Sequence, residues 1–185
     1  TKIKMKNYIG LQPNHRGYVP PGEEEYGEKQ GASNYEQNVP KELKEGFEVG
    51  MCLPSDDPNF LAGVRFSGPN VWPDELPQLR PIVESYFSQV LSLGNNLLKI
   101  FAKALNVKET LFFGKMHKPI ANLRLLRYPA RVRAKKQVLG IGAHTDSECF
   151  TILSTRGDGL QVVSREGVWT DIPSLEGHFI VNIGD

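Results

Sequence analysis

The chain has 185 residues, the length of a single domain, and 39% of them are hydrophobic, which can supply a core. Its 22 Lys and Arg balance 21 Asp and Glu, so the net charge of +1 creates no field that attracts nucleic acid or an anionic membrane. Short apolar runs exclude a membrane span, and two distant cysteines, Cys52 and Cys149, exclude a disulfide scaffold and a Cys-based zinc site. With no signal peptide at its start, the sequence predicts a cytoplasmic globular protein whose partner is a small molecule or another protein.

The first 50 residues are expected to be mostly irregular. Alternation of Lys with apolar residues over Lys2–Lys6 predicts a short edge strand. Residues 12–50 are rich in Gly, Pro, Asn and Glu, which fits either a long surface loop or an ordered lid. Four aromatic residues favour partial packing of this region: Tyr18, Tyr26, Tyr35 and Phe47.

A long amphipathic helix is predicted next, from an N-cap at Asp74 to Leu105. Apolar residues recur there at spacings of three, four and seven, which is the pattern of a helix that packs one face on a core. Pro77 and Pro81 fall in or before its first turns. A second, short helix is predicted over residues 108–113.

From Asn122 onward the pattern changes to short alternating segments separated by turns. Strands are predicted over residues 123–128, 138–146, 150–155, 160–164, 168–172 and 179–183. Regular strands with turns between them predict an antiparallel sandwich or barrel, so the fold class is mostly β with N-terminal helices. We expect loops and helices over about 1–121, a β part over about 122–185, and a core position for Cys149. A last strand so close to Asp185 indicates a truncated single domain.

The sequence His144-Thr145-Asp146 carries the clearest chemistry. On a strand, residues two apart face the same side, so the imidazole and the carboxylate would converge, with Gly140 and Gly142 leaving room beside them. One imidazole and one carboxylate belong to the ligand set of the facial site that holds non-haem Fe(II). A surface pair or a simple hydrogen-bonded pair is the alternative for a lone His-x-Asp.

Five blocks, read together, resemble the isopenicillin-N-synthase-like branch of the Fe(II)/2-oxoglutarate oxygenases. The blocks are Phe66–Pro73, Leu123–Pro129, Gly142–Asp146, Gly159–Val162 and Val181–Asp185. They occur in the order of that family, and the resemblance extends over nearly the whole chain. It implies a double-stranded β-helix core, the jelly-roll or cupin-like fold, in an incomplete catalytic domain spanning 1–185.

The resemblance also implies roles for individual residues. His144 and Asp146 match the first two iron ligands, and the third, a histidine, is expected beyond Asp185; His178 precedes the matching block and is interpreted as a surface or turn residue. Tyr128 matches a tyrosine that helps to bind the co-substrate, with a core tyrosine as the alternative. No catalytic side chain is expected apart from the metal site.

Two further residues are candidates for substrate binding. Arg124 shares a strand face with Tyr128 and meets either an acidic group of the substrate or a structural Glu. Phe47 stands where relatives place an aromatic residue of the pocket.

The implied activity is that of an Fe(II)- and 2-oxoglutarate-dependent dioxygenase. With Fe(II), 2-oxoglutarate and O2, it would oxidise an unactivated C–H bond of a small organic molecule by hydroxylation, desaturation or ring closure, releasing succinate and CO2. A cyclase of the same fold that needs no 2-oxoglutarate, and a metal-free jelly-roll binding protein, remain alternatives. We expect a monomer that binds neither nucleic acid nor membrane.

Overall fold

The structure, a computed structural model, describes residues 2–23, 43–114, 116–129 and 140–185. The chain divides into two compact units, Thr1–Ala143 and His144–Asp185. Tyr26, Tyr35 and residues 138–139, for which the sequence made predictions, lie outside the described residues. None of the helices in the described ranges is long and apolar enough to cross a membrane.

The first unit begins with helix α1 (Lys2–Lys6), followed by a 3-10 turn at Ile9–Leu11. The predicted edge strand over Lys2–Lys6 is therefore wrong. A window of five residues is too short to separate the period of a strand from that of a helix. Ion pairs link this helix to the rest of the first unit, from Lys4 to Glu45 and from Lys6 to Glu75.

The long helix α3 spans Leu79–Ala104, which confirms the predicted helix but not its N-cap. Asp74 is exposed and lies outside the helix, because tight turns close from Pro73 to Leu76 and from Leu76 to Leu79. Pro81 is tolerated as the third helical residue, where the missing N–H would have no partner within the helix. Short helices α2 (Pro58–Leu61) and α4 (Thr110–Phe113) lie on either side of α3 in the chain.

A three-stranded antiparallel sheet joins distant parts of the first unit. Its strands, in the order β1–β2–β3, are Gly17–Val19, Glu45–Gly50 and Asn122–Arg127. The region before residue 50 thus contains two strands, and β3 pairs with β2 rather than with later strands. The first compact unit extends to Ala143, beyond the change of sequence pattern at Asn122.

The register of β2 and β3 decides which side chains share a face. Glu48 lies opposite Arg124, whereas Phe47 lies opposite Leu125. Because neighbouring residues of a strand point to opposite faces, Phe47 and Arg124 lie on different sides of the sheet. Buried Tyr18 lies opposite Phe47 and so shares its face.

The second unit contains two antiparallel strand pairs. In one, β4 (Phe150–Leu153) pairs with β7 (Ile180–Ile183), and in the other, β5 (Leu160–Val163) pairs with β6 (Trp169–Ile172). These four strands confirm the last four of the predicted segments, with shorter bounds. Residues 140–149 form no strand, so the described part of the strand predicted over 138–146 is wrong.

Candidate functional site

His144 and Asp146 lie in the irregular segment that precedes β4. Nε2 of His144 is 3.5 Å from Oδ1 of Asp146, which confirms that the two side chains converge. The reason given for convergence is wrong, because the segment is not a strand. Its backbone is held instead from the end of the chain, where the N–H of Asp185 donates to the carbonyl of Asp146 over 2.9 Å.

The second carboxylate oxygen of Asp146 accepts two hydrogen bonds from the neighbouring strands. The Thr151 hydroxyl donates to Oδ2 over 2.7 Å, and the Asn182 side-chain amide donates to the same oxygen over 2.9 Å. Thr151 on β4 lies directly opposite Asn182 on β7, so the two donors stand side by side on one face of this ladder. The carboxylate is therefore fixed in orientation by two strands.

Gly184 allows the end of β7 to approach this segment closely. A Cβ atom at Gly184 would lie 1.8 Å from the carbonyl oxygen of Glu148 and 2.7 Å from that of Asp146. Both neighbours are backbone atoms, which cannot move aside as a flexible side chain would. The absence of a side chain at Gly184 therefore permits the observed packing of the segment that carries Asp146.

The paired donors fit a divalent metal ion. Imidazole nitrogen and carboxylate oxygen bind first-row metals at about 2.0–2.2 Å, so two such donors on one ion can be at most about 4.4 Å apart. The separation of 3.5 Å between His144 and Asp146 lies within that limit. Across the described ranges, no group of three or more His, Cys, Asp or Glu side chains is arranged to hold a metal, so the described residues offer two ligands.

Tyr128 lies in the first unit, directly after β3, and is 48% exposed. Its ring packs over Gly140, where an added Cβ would come within 2.7 Å of the ring. Gly140 therefore makes room for the tyrosine ring. The expectation of a fully packed core tyrosine does not describe this half-exposed side chain.

Arg124 meets a structural partner. Its Nε atom lies 2.5 Å from Oε1 of Glu48, whose side chain is 8% exposed, so the structural alternative from the sequence is the one observed. Arg16, almost fully buried, lies in the same region and donates to Asn122 over 2.9 Å. Burial lowers the pKa of Arg16, while the charge of Glu48 raises it.

Phe47 lines a cavity of about 260 Å³ in the first unit, on the face of the sheet opposite to Arg124. Its ring centroid is 6.1 Å from that of Trp72. Glu45, at the edge of this cavity, accepts hydrogen bonds from three side chains: Lys4, Tyr18 and Arg127. Phe47 and Arg124 therefore lie on opposite faces of this sheet.

Two other expectations have clear outcomes. His178 is exposed and its Nδ1 lies 2.9 Å from the carbonyl of Glu176, which confirms a surface residue in a turn. Cys149 is exposed, so its predicted core position is wrong. Cys149 lies in the bend that precedes β4, outside the paired strands.

Sequence reasoning missed Thr151 and Asn182 as residues of the site. A signal was present, because each is a polar residue inside an otherwise apolar strand, Phe150–Leu153 and Ile180–Ile183. Polar side chains in such positions are candidates for hydrogen bonds to neighbouring groups of the site. The partner was not predictable, because it depends on how β4 pairs with β7.

The model of the 2OG-Fe(II) oxygenase superfamily matches residues 119–185. A 2-oxoglutarate-Fe(II) type oxidoreductase of Emericella nidulans is 36% identical in an alignment of 151 residues that covers 78% of this chain and 43% of that protein. Clavatol oxidase of Penicillium crustosum is 34% identical over 198 residues, covering 99% of this chain and 58% of that protein. The chain thus spans about half the length of the curated relatives it matches.

Solved structures agree with these matches. A 2OG-Fe(II) oxygenase family protein from Caulobacter crescentus covers the whole of this chain at a TM-score of 0.76 and 29% identity, with 55% of its own length matched. A full-length Neurospora crassa protein, solved in complex with alpha-KG, also covers all of it, at a TM-score of 0.75 and 26% identity, with 55% of its own length matched. These likenesses confirm the predicted jelly-roll fold class. Sequence and structure therefore agree that the chain belongs to the 2OG-Fe(II) oxygenase superfamily.

Proposed function

We propose that this chain is the part of an Fe(II)- and 2-oxoglutarate-dependent dioxygenase that supplies two of its iron ligands. The observation that carries the proposal is the 3.5 Å approach of His144 Nε2 to Asp146 Oδ1. Superfamily membership supports the reaction class. A histidine that follows Asp185 in the whole protein completes the set, and 1–185 form part of a single oxygenase domain.

Each ligand has a definite chemical contribution. His144 offers a neutral nitrogen donor, and Asp146 offers an anionic oxygen that offsets part of the charge of a divalent ion. Iron held by these residues would supply O2 activation coupled to the decarboxylation of 2-oxoglutarate to succinate and CO2, and so the oxidation of a substrate C–H bond. Asp146 needs no rearrangement to bind, because Thr151 and Asn182 already fix its carboxylate.

Tyr128 is our candidate for contact with 2-oxoglutarate. The residue follows β3 and is half-exposed, and a phenol is a group that can donate a hydrogen bond to a carboxylate. Arg124 serves as the ion-pair partner of Glu48. Phe47 lines the cavity described above, and we assign it no other role.

The partner we propose is a small organic substrate, bound by a monomer that works in the cytoplasm. The similar Neurospora crassa protein, for comparison, has been solved with alpha-KG and thymine. The identity of the substrate of this chain is left to a screen in which succinate release reports turnover.

Asp146→Ala in the full-length protein tests the proposal. We expect the variant to lose bound iron and succinate release while it stays folded, because its carboxylate acts on the metal rather than in the core. Asp171→Ala is the matched control, since Asp171 is an exposed carboxylate that accepts a side-chain hydrogen bond from Gln161 on the paired strand. Iron content, succinate and the thermal midpoint are measured on the same samples.

Three results would contradict the proposal. Iron binding and 2-oxoglutarate consumption that survive Asp146→Ala would remove Asp146 from the metal site. Oxidised product without succinate would favour the 2-oxoglutarate-independent cyclase. Absence of bound metal from the wild-type protein would favour the metal-free binding protein.

A further inference from the structure

We propose that Thr151 and Asn182 are positioning residues that make Asp146 bind its metal through Oδ1 alone. The inference rests on the proposed function, because it concerns the same metal site. It adds two residues that orient the carboxylate, and it follows from the hydrogen bonds of one carboxylate oxygen.

The two donors converge on a single acceptor atom. A carboxylate oxygen offers about two lone-pair sites, and Oδ2 of Asp146 accepts from the Thr151 hydroxyl at 2.7 Å and from the Asn182 amide at 2.9 Å. Hydrogen bonds to a charged acceptor are among the stronger ones in proteins. Binding a metal through Oδ2 would require breaking them.

The other oxygen is the one turned toward His144. Oδ1 lies 3.5 Å from the imidazole nitrogen, within the reach of one shared ion. A carboxylate that binds through both oxygens occupies two coordination positions, whereas one that binds through a single oxygen occupies one. Holding Oδ2 away therefore keeps a further position on the metal open to other ligands.

A purely structural role for Thr151 and Asn182 can be distinguished from the positioning role by experiment. The segment that carries Asp146 is also held by backbone hydrogen bonds, from Asp185 N–H to the Asp146 carbonyl and from Gly184 N–H to the Cys149 carbonyl. Removing the side-chain donors leaves these bonds and the β4–β7 ladder in place. The fold should therefore persist while the orientation of the carboxylate is lost.

Calorimetric titration of the metal-free full-length protein with Mn²⁺, without 2-oxoglutarate, measures the effect. Thr151→Val removes the hydroxyl at nearly constant shape, Thr151→Ser keeps it, and Asn182→Ala removes the amide. Loss of such orienting partners typically costs 10–100-fold in metal affinity. We expect weakening of about that size for Thr151→Val and Asn182→Ala, and affinity within about twofold of wild type for Thr151→Ser.

Gln161→Leu is the matched structural control. It removes a 2.8 Å amide-to-carboxylate hydrogen bond between directly opposite residues of β5 and β6. We expect its Mn²⁺ affinity to equal that of wild type. The thermal midpoints of metal-free Thr151→Val and Asn182→Ala should fall no further than that of Gln161→Leu.

Asp146→Ala separates the two proposals. If Asp146→Ala abolishes Mn²⁺ binding while Thr151→Val and Asn182→Ala keep wild-type affinity, the positioning role is wrong and the metal site stands. If Asp146→Ala keeps wild-type affinity, the metal site itself is wrong. Affinity that falls only together with a lowered metal-free midpoint makes Thr151 and Asn182 structural and overturns the inference.

Discussion

At the scale of single residues, the role proposed for Tyr128 depends on its hydroxyl group. If the phenol donates to a carboxylate of 2-oxoglutarate, Tyr128→Phe removes that bond and leaves the ring over Gly140. A hydrogen bond to a charged group is worth about 1.5–3 kcal/mol, so the KM for 2-oxoglutarate should rise by roughly 10- to 100-fold. Steady-state kinetics at a series of 2-oxoglutarate concentrations measure this KM.

Mn²⁺ affinity is the control for Tyr128→Phe, because Tyr128 is not a metal ligand in this proposal. An unchanged KM would show that the hydroxyl does not contact 2-oxoglutarate. A parallel loss of Mn²⁺ affinity would show that the substitution acts on the metal site instead.

The spacing of residues along the chain was not enough to predict which side chains meet in the site. The convergence of His144 and Asp146 was predicted from a strand that is absent from the described residues 140–149, so their separation of two was not a sufficient reason for it. The sequence left the partner of Arg124 open between an acidic group of the substrate and a structural Glu, because the answer depends on the register of β2 and β3. In the structure, Glu48 lies directly opposite Arg124. Thr151 and Asn182 were missed for the same reason, since only strand pairing brings them to Asp146.

At the scale of elements, the three strands of the first unit are linked through the carboxylate of Glu45. Hydrogen bonds from Lys4 on α1, from Arg127 on β3 and from Tyr18 on β1 lower the pKa of Glu45 from 4.5 to about 2. Burial and the same carboxylate raise the pKa of Tyr18 to about 12. The ionised Glu45 therefore holds α1, β1 and β3 to β2.

The lowered pKa of Glu45 makes the stability of the protein sensitive to acid. Because the folded value lies below the unfolded one, the contribution is fully present above about pH 4.5 and is lost as the pH falls toward 2. Glu45→Gln should lower the free energy of unfolding at pH 7 and flatten its fall between pH 4.5 and 2. Urea unfolding at a series of pH values measures both effects.

Glu84→Gln is the control for this prediction. Glu84 forms an exposed pair with Arg80 on α3, and such pairs contribute about 0.3–0.5 kcal/mol. Its pH profile should follow that of wild type. Equal profiles for Glu45→Gln and wild type would mean that the hydrogen bonds to Glu45 do not stabilise the sheet.

A helical pattern that continues over many turns was predictable, whereas a single short alternation was not. The 26 residues of α3 carry enough turns for the helical period to be unambiguous, whereas five residues at Lys2–Lys6 were assigned to the wrong class. The β strands after residue 150 were marked by turn residues on both sides. The sheet β1–β2–β3 was not predictable, because its strands are brought together from residues 17 to 127 by tertiary contacts.

At the scale of the whole molecule, metal binding should be linked to stability. A ligand that binds only the folded state stabilises it by about 2.7 kcal/mol at a concentration 100 times its Kd. Mn²⁺ at that excess should therefore raise the thermal midpoint of the metal-free full-length protein by several degrees, and a chelator should reverse the rise. Scanning calorimetry with and without EDTA measures the shift.

The same calorimetric scans on two variants test whether the rise in thermal midpoint comes from the proposed metal site. Asp171→Ala should keep the full shift, and Asp146→Ala should lose it. An equal shift in Asp146→Ala would mean that the ion binds elsewhere, and no shift in the wild-type protein would contradict a metal site that depends on the fold.

The hydrogen bonds on Asp146 also impose an order of events during synthesis. Thr151 follows Asp146 by 5 residues, but Asn182 follows it by 36. At 5–20 residues per second, a ribosome adds Asn182 roughly 2–7 s after Asp146. Until then, the nascent chain holds His144 and Asp146 without the strand that orients the carboxylate, so a metal captured early would meet an unformed site. In the proposed site, metal loading with an oriented Asp146 therefore waits until β7 has been synthesised and has paired with β4.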